Sequence, residues 1–179
     1  MFEDEVLKWK FKRGSDDALT LIYEKYLEPM LTLAMGLLND TAAAEDIVQD
    51  VFVSFARARP SFRPGGSLSG YLATSVVNRV RDHRRQLRRR PREDVNRRPS
   101  TEPRGPEQAV ILSEQTELLV KVMVCLPEEQ REVVLLRLKA DMKFREIARL
   151  QQTSVGTALS RYRYGLQRLR SMLNGEVEP

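Results

Sequence analysis

The stretch EIARLQQTSVGTALSRYRYGLQRLR, residues 146–170, decides the fold. It reads as a short helix, a polar corner QQTS, and a longer helix crowded with arginine and tyrosine. The lead-in LPEEQREVVLLRLKADMKFREIARL, residues 126–150, starts a helix at Pro127 with acids in its first turn, where the helix dipole favours them. Val133, Val134, Leu136 and Leu138 make that helix apolar, and it stops near Asp141. A second helix around residues 144–151 is expected to bury Phe144, Ile147 and Ala148. After the corner, Ser154 can cap a third helix, in which Val155, Ala158, Tyr162, Leu166 and Leu169 recur at helical intervals and point inward. Thr157, Ser160, Arg161, Arg163, Tyr164 and Arg168 are left outward or lateral. Helix, tight turn and polar-basic helix is the helix-turn-helix arrangement, whose second helix enters the DNA major groove. Non-binding hairpins also contain short turns, so charge has to decide. Residues 142–170 carry a net charge of +6, which favours a polyanion.

The remainder of the chain supports that reading. At 179 residues, with 41% hydrophobic and 31% charged residues, it suits one ordinary folded domain or two small ones. No apolar run approaches the roughly 20 residues of a membrane span. The charged N-terminus MFEDEVLKWKFKRG lacks the apolar stretch of a signal peptide, so a cytoplasmic protein is expected. The single cysteine, Cys125, excludes an internal disulfide, and no Cys/His cluster offers a zinc site. The net charge of +5 conceals an asymmetry: residues 1–60 sum to −4, whereas residues 79–98 sum to +7. Two basic segments on one chain resemble two contact points on a nucleic acid.

Periodicity is helical throughout, which predicts an all-α protein. A first helical block covers residues 3–88, with breaks near Gly14-Ser15, Asn39-Asp40 and Pro60–Gly66. The segment RRRPREDVNRRPSTEPRGPE, residues 88–107, contains four prolines, seven arginines and no large apolar residue except Val95. Such a composition cannot build a core, and a flexible tether is expected. The predicted organisation is a first domain over 1–87, a linker over 88–107, and a helix-turn-helix domain over 108–179. The chain runs out at NGEVEP, and no further C-terminal domain is expected.

Two more surfaces invite a function. In DTAAAEDIVQDVFVSFARA, residues 40–58, Ile47, Val48, Val51, Phe52 and Phe55 form a core stripe. Asp46, Gln49, Asp50 and Val53 share another face, at offsets that stack on a helix. That face is either plainly solvated or a seat for a basic partner helix. In RPSFRPGGSLSGYLATSVVNRVRDHRRQLRR, residues 59–89, Pro-Gly-Gly forces a loop and Ser67 can cap the next helix. There Leu68, Leu72, Val76 and Val80 face inward. Tyr71, Asn78, Arg81 and Arg85 line another stripe, flanked by Arg84 and Arg88. A ring to stack on a base, an amide for a base edge and guanidiniums for phosphates suit single-stranded DNA. The plain alternative makes Tyr71 a core rim and the arginines a solubility face.

In combination, AEDIVQDVF (44–52), FRPGGSLSGYLATSVVNRVRDHRR (62–85) and LPEEQREVVLLR with FREIARLQQTSVGTALSR (126–161) resemble the sigma-70 family of bacterial transcription initiation factors, specifically its extracytoplasmic-function group. The resemblance spans the chain except the tether. It implies that Asp46, Gln49, Asp50 and Val53 bind the clamp coiled coil of core RNA polymerase. It implies that Phe62, Arg63, Tyr71, Asn78, Arg81, Arg84 and Arg85 melt and hold the −10 promoter element. It further implies that Ser154, Gly156, Thr157, Leu159, Ser160, Arg161, Arg163, Tyr164 and Arg168 read the −35 element. The polymerase flap, promoter DNA and an anti-sigma factor join the implied partners; no cofactor does. Tyr71 stands where the family usually has tryptophan. Leu159 and Tyr164 occupy positions often basic, and Gly165 follows where alanine is common.

Two other readings compete. A helix-turn-helix regulator acting without polymerase would account for residues 126–170 but leave the acidic face and the Tyr71 stripe without purpose. A protein that sequesters a sigma-like partner fits poorly with two basic surfaces. An enzyme is not expected: His83 lies amid arginines, Cys125 lies in an apolar run, and no glycine-rich loop follows a strand.

Overall fold

A computed structural model describes residues 2–62, 66–89 and 122–174. The tether expected at 88–107 lies outside these residues from position 90 onward, as do Arg63 and the start of the second domain. Seven α-helices lie wholly within the described residues, where no strand occurs.

Helix α1 (Phe2–Lys12) begins on three acids and ends on lysines, matching its dipole. Gly14 turns the chain at a φ of 96°, a conformation that a side chain would resist. The Ser15 hydroxyl then accepts the Ala18 N–H and starts α2 (Asp16–Leu38). Left-handed Asn39 ends α2, and the Asp40 carboxylate caps α3 (Thr41–Arg57) by accepting the Ala43 N–H. A 3-10 turn at Arg59–Ser61 leads toward α4 (Leu68–Arg89), where the Ser67 hydroxyl accepts the Gly70 N–H as anticipated. The second half comprises α5 (Glu128–Lys139), α6 (Phe144–Leu150) and α7 (Val155–Leu173).

Helix α2 is the common wall. It packs against α1, α3, α4 and also α5, so every residue from Met30 to Leu37 is buried. Pro29 lies within α2, just before this buried run, and removes one helical hydrogen bond. Gly36 permits the approach of α5: a Cβ there would sit 2.8 Å from Leu135 Cδ1. The two halves therefore share one continuous apolar core.

The core stripes of α3 and α4 fall where the periodicity puts them. One expectation is corrected: Val155 does not point inward. Leu138 and Val155 are exposed, whereas Leu135 is fully buried. Helix α5 is sandwiched between α2 and α7, so four successive residues, Val133–Leu136, are buried and no one-sided stripe exists. Leu138 lies beyond that sandwich, and Val155 opens α7 ahead of its first buried residue, Ala158.

Candidate nucleic-acid interface

The corner between α6 and α7 is built by the backbone. Gln152 adopts φ of 53°, while Thr153 N–H donates to the Ala148 carbonyl at 2.9 Å and Gln152 N–H to the Arg149 carbonyl at 3.2 Å. This is a Schellman closure with glutamine at the left-handed position where glycine is usual. Ser154 accepts the Thr157 N–H at 3.0 Å and launches α7. Gly156, Thr157, Leu159, Ser160, Arg163, Tyr164 and Arg168 are all exposed along α7, with Tyr164 at 63%. Arg161 departs from the expected set, because its guanidinium donates to Gln151 Oε1 at 2.9 Å and braces the corner. Tyr162 packs edge-on against Phe144, with ring centroids 5.3 Å apart. Gly165 is buried against α5.

On α4, Tyr71 is both ring and rim. It is 40% exposed, and its inner edge meets Phe62 with centroids 5.4 Å apart. Phe62 itself is corrected. At 3% exposure it belongs to the core, sitting edge-on against Phe11 and Phe55, which stack at 4.3 Å. It supports Tyr71 and offers no face to a base. Lys8, a buried lysine that the sequence did not single out, donates to the Gly66 carbonyl at 3.2 Å and pairs with Glu5, tying α1 to the loop before α4.

Tyr71 and Asn78 line a cleft of about 620 Å³ whose opposite wall is Met142, Glu146, Arg149 and Leu150 from the second half. Two arginines farther along α4, Arg81 and Arg84, are half-buried. Arg81 donates to Glu132 Oε1 at 2.8 Å and to the Leu150 carbonyl at 3.1 Å. Arg84 pairs with Glu128 and donates to the Leu37 carbonyl at 2.5 Å. Ser69 donates to the Ala140 carbonyl at 2.9 Å. Arg85 stays exposed, 3.4 Å from Asp82. Glu132 is 6% exposed; burial pushes its carboxyl above the usual range, opposed by Arg81 and by a hydrogen bond from Gln151. None of these cross-contacts was read from the sequence. The isolated Gly36 inside LTLAMGLL was the available signal, since glycine in a buried helix implies a close neighbour.

On α3, Asp46, Gln49, Asp50 and Val53 are exposed along one line. Arg79 lies 3.7 Å from Asp50 and donates to Ser54. Among the described residues, no group of three or more His, Cys, Asp or Glu could hold a metal ion, and no helix is long and apolar enough to cross a membrane.

Comparison with known proteins places this geometry. A family model described as Sigma-70 region 2 matches residues 22–90, and one described as Sigma-70, region 4 matches residues 116–169. RNA polymerase sigma-H factor of Pseudomonas aeruginosa is 26% identical over 187 residues, covering 99% of this chain and 95% of that protein. The ECF RNA polymerase sigma-E factor of Escherichia coli strain K12 is 26% identical, covering 98% and 95%. RNA polymerase sigma factor CarQ of Myxococcus xanthus is 28% identical, covering 94% and 96%. Among solved structures, CnrH in complex with the cytosolic domain of CnrY aligns with a TM-score of 0.64 at 19% identity, covering 97% of this chain and 99% of that one. RpoE in complex with the anti-sigma factor NepR from Bartonella quintana aligns at 0.66 and 23% identity, covering 88% and 95%. The structures support the fold; the matched regions and relatives supply the family. The chain belongs to the sigma-70 family, in its extracytoplasmic-function group.

Proposed function

We propose that this chain binds core RNA polymerase and directs it to promoters, through three surfaces with separate tasks. The observation that carries this is the pairing, on one chain, of a region 2 helix with an exposed acidic face and a region 4 helix with an exposed polar-basic face. Asp46, Gln49, Asp50 and Val53 take the basic clamp coiled coil. Tyr71 and Asn78 receive the extruded −10 strand, with Arg81, Arg84 and Arg85 on its phosphates and Arg63 in the loop beside it. Phe62 holds the Tyr71 ring from beneath. Helix α7 enters the major groove of the −35 element nose first. Thr157 and Ser160 then lie near base edges and Arg163 and Arg168 near phosphates, with Leu159 placed against a thymine methyl.

The flap of polymerase is the natural seat for region 4. An anti-sigma factor is proposed as the inhibitory partner, a reading supported by the similarity to RpoE, solved with such a factor. The test is reconstitution with core polymerase and run-off transcription on a genomic fragment library. Discrete new start sites that need this chain are expected. Duplex binding without polymerase association would favour the helix-turn-helix regulator instead.

A further inference from the structure

The corner between α1 and α2 holds a cleft that none of the three proposed surfaces uses. Trp9, the only tryptophan of the chain, is 56% exposed there, and Val6 and Leu21 are exposed as well. The Arg13 guanidinium lies 4.0 Å from the centre of the indole ring, a stacking that holds the cation in place. Trp9, Lys10, Arg13 and Leu21 line a cleft of about 510 Å³, and Asp17 is the one carboxylate in that lining. The corner itself is braced, because Arg59 donates to the Gly14 carbonyl at 3.1 Å and to Asp16 at 2.8 Å. The acids of α1 are engaged elsewhere: Lys25 holds Glu3 and Asp4, and Lys8 holds Glu5. Lys10, Lys12 and Arg13 are exposed, and among the described residues no carboxylate pairs with any of them. This end of α1 therefore keeps uncompensated positive charge around an exposed apolar ring.

We propose that the α1–α2 corner is a docking site for an acidic segment of a partner protein, one with a large apolar side chain set among its carboxylates. The apolar side chain enters between Trp9 and Leu21. Its flanking carboxylates meet the Arg13 guanidinium, which accommodates them in a bidentate fashion, and the Lys10 ammonium. Asp17 accepts from the backbone N–H groups of the segment. A nucleic-acid strand fits this lining poorly, since Asp17 would face its phosphates and Leu21 gives a base nothing to stack on. Tryptophan and arginine are the residue types that dominate the energy of protein–protein contacts. The sign of charge is opposite to that of the α3 face, so the two surfaces select different partners.

The test uses the full-length chain and a displayed library of short random peptides that lack tryptophan. Peptides are selected on the parent and counter-selected on the Trp9→Ala, Arg13→Glu double variant, which keeps every other basic surface. The survivors should combine Asp or Glu with Leu or Phe. Because Trp9 is the only tryptophan, its emission reads the site directly and should move to shorter wavelength as such a peptide binds. Arg13→Glu and Leu21→Ser both keep the indole, and each should weaken binding roughly tenfold or more. A peptide whose acids are replaced by lysine should fail on the parent and bind the Lys10→Glu, Arg13→Glu chain, which also shows that the variant is folded. Run-off transcription by holoenzyme carrying Leu21→Ser or Arg13→Glu should match the parent. Loss of that basal transcription would assign the cleft to polymerase or promoter and overturn the proposal. Peptide sets that do not distinguish the parent from the double variant overturn it too. So does displacement of the peptide by oligo(dT), which would make the cleft a strand site, or an emission shift on concentrating the chain alone, which would make the occupant a second copy.

Discussion

Gly165 of α7 lies directly against Val134 of α5: a Cβ at position 165 would stand 2.9 Å from Val134 Cγ2. Valine has one strongly preferred rotamer in a helix, so that methyl cannot swing aside. Gly165→Ala gains about 1 kcal/mol of helix propensity but faces an overpacking cost of about 1–3 kcal/mol. The net expectation is a loss of stability on the order of 1 kcal/mol, from the same two principles. Urea denaturation of the variant should show a lower midpoint at unchanged slope.

The opposite sign is expected one turn before α7. Gln152 holds a left-handed backbone at φ of 53°, a conformation that costs a side chain roughly 1–2 kcal/mol. Gln152→Gly should raise stability by several tenths to about 1 kcal/mol while leaving the Schellman hydrogen bonds in place. A lowered melting temperature would mean that the glutamine side chain does something other than fill the corner.

These two positions show how far sequence reasoning reached. The helix-turn-helix was legible because Ser154, the QQTS corner and the intervals of α7 are local signals. The stripes of α3 and α4 were legible for the same reason. Gly165 could be noticed as a departure but not explained, since its reason lies in Val134, about thirty positions earlier in the chain. The fate of Phe62, Arg81 and Arg161 was equally hidden. Arg81 and Arg161 were assigned by type and spacing and Phe62 by the family resemblance, and each is claimed by a neighbour from another element: Phe11 and Phe55 for Phe62, Glu132 for Arg81, and Gln151 for Arg161. Polar side chains on a predicted outer face do not announce which of them another helix will engage.

The polymerase contact proposed at α3 should depend on the sign of charge there. Exposed ion pairs are individually worth about 0.2–1 kcal/mol, but reversing Asp46 and Asp50 to lysine converts attraction to repulsion at both. The double variant should lose core polymerase affinity several-fold with its circular dichroism unchanged. Undiminished assembly in a pull-down titration would remove the acidic face from the interface.

Strand opening tests Tyr71 and Asn78. Base stacking on an aromatic ring is worth about 1–3 kcal/mol. Tyr71→Ala and Asn78→Ala holoenzymes should retain duplex binding but lose permanganate-reactive thymines near the start site. Tyr71→Phe keeps both the ring and its contact with Phe62 and should open promoters nearly as the parent does.

At the upstream element, Arg163 and Leu159 should behave differently. Arg163→Ala should weaken all upstream sequences alike and reduce the salt slope by about one unit. Leu159→Ala and Ser160→Ala should change which bases are preferred. Arg161→Ala, whose guanidinium is held by Gln151, should alter the salt slope less than Arg163→Ala. Fluorescence anisotropy across a panel of upstream duplexes, titrated with salt, separates these outcomes.

The unbroken burial of α2 from Met30 to Leu37 has a consequence for the life of the molecule in a cell. Any parting of the two halves would uncover the Gly36 face of α2 and the Leu135 face of α5 at once. Large exposed apolar patches invite self-association. Copies whose halves stay packed keep both faces out of water, and copies whose halves part would have to fold back or be exposed to aggregation and proteolysis. The same glycine that lets two helices touch would then bear on how long a copy persists.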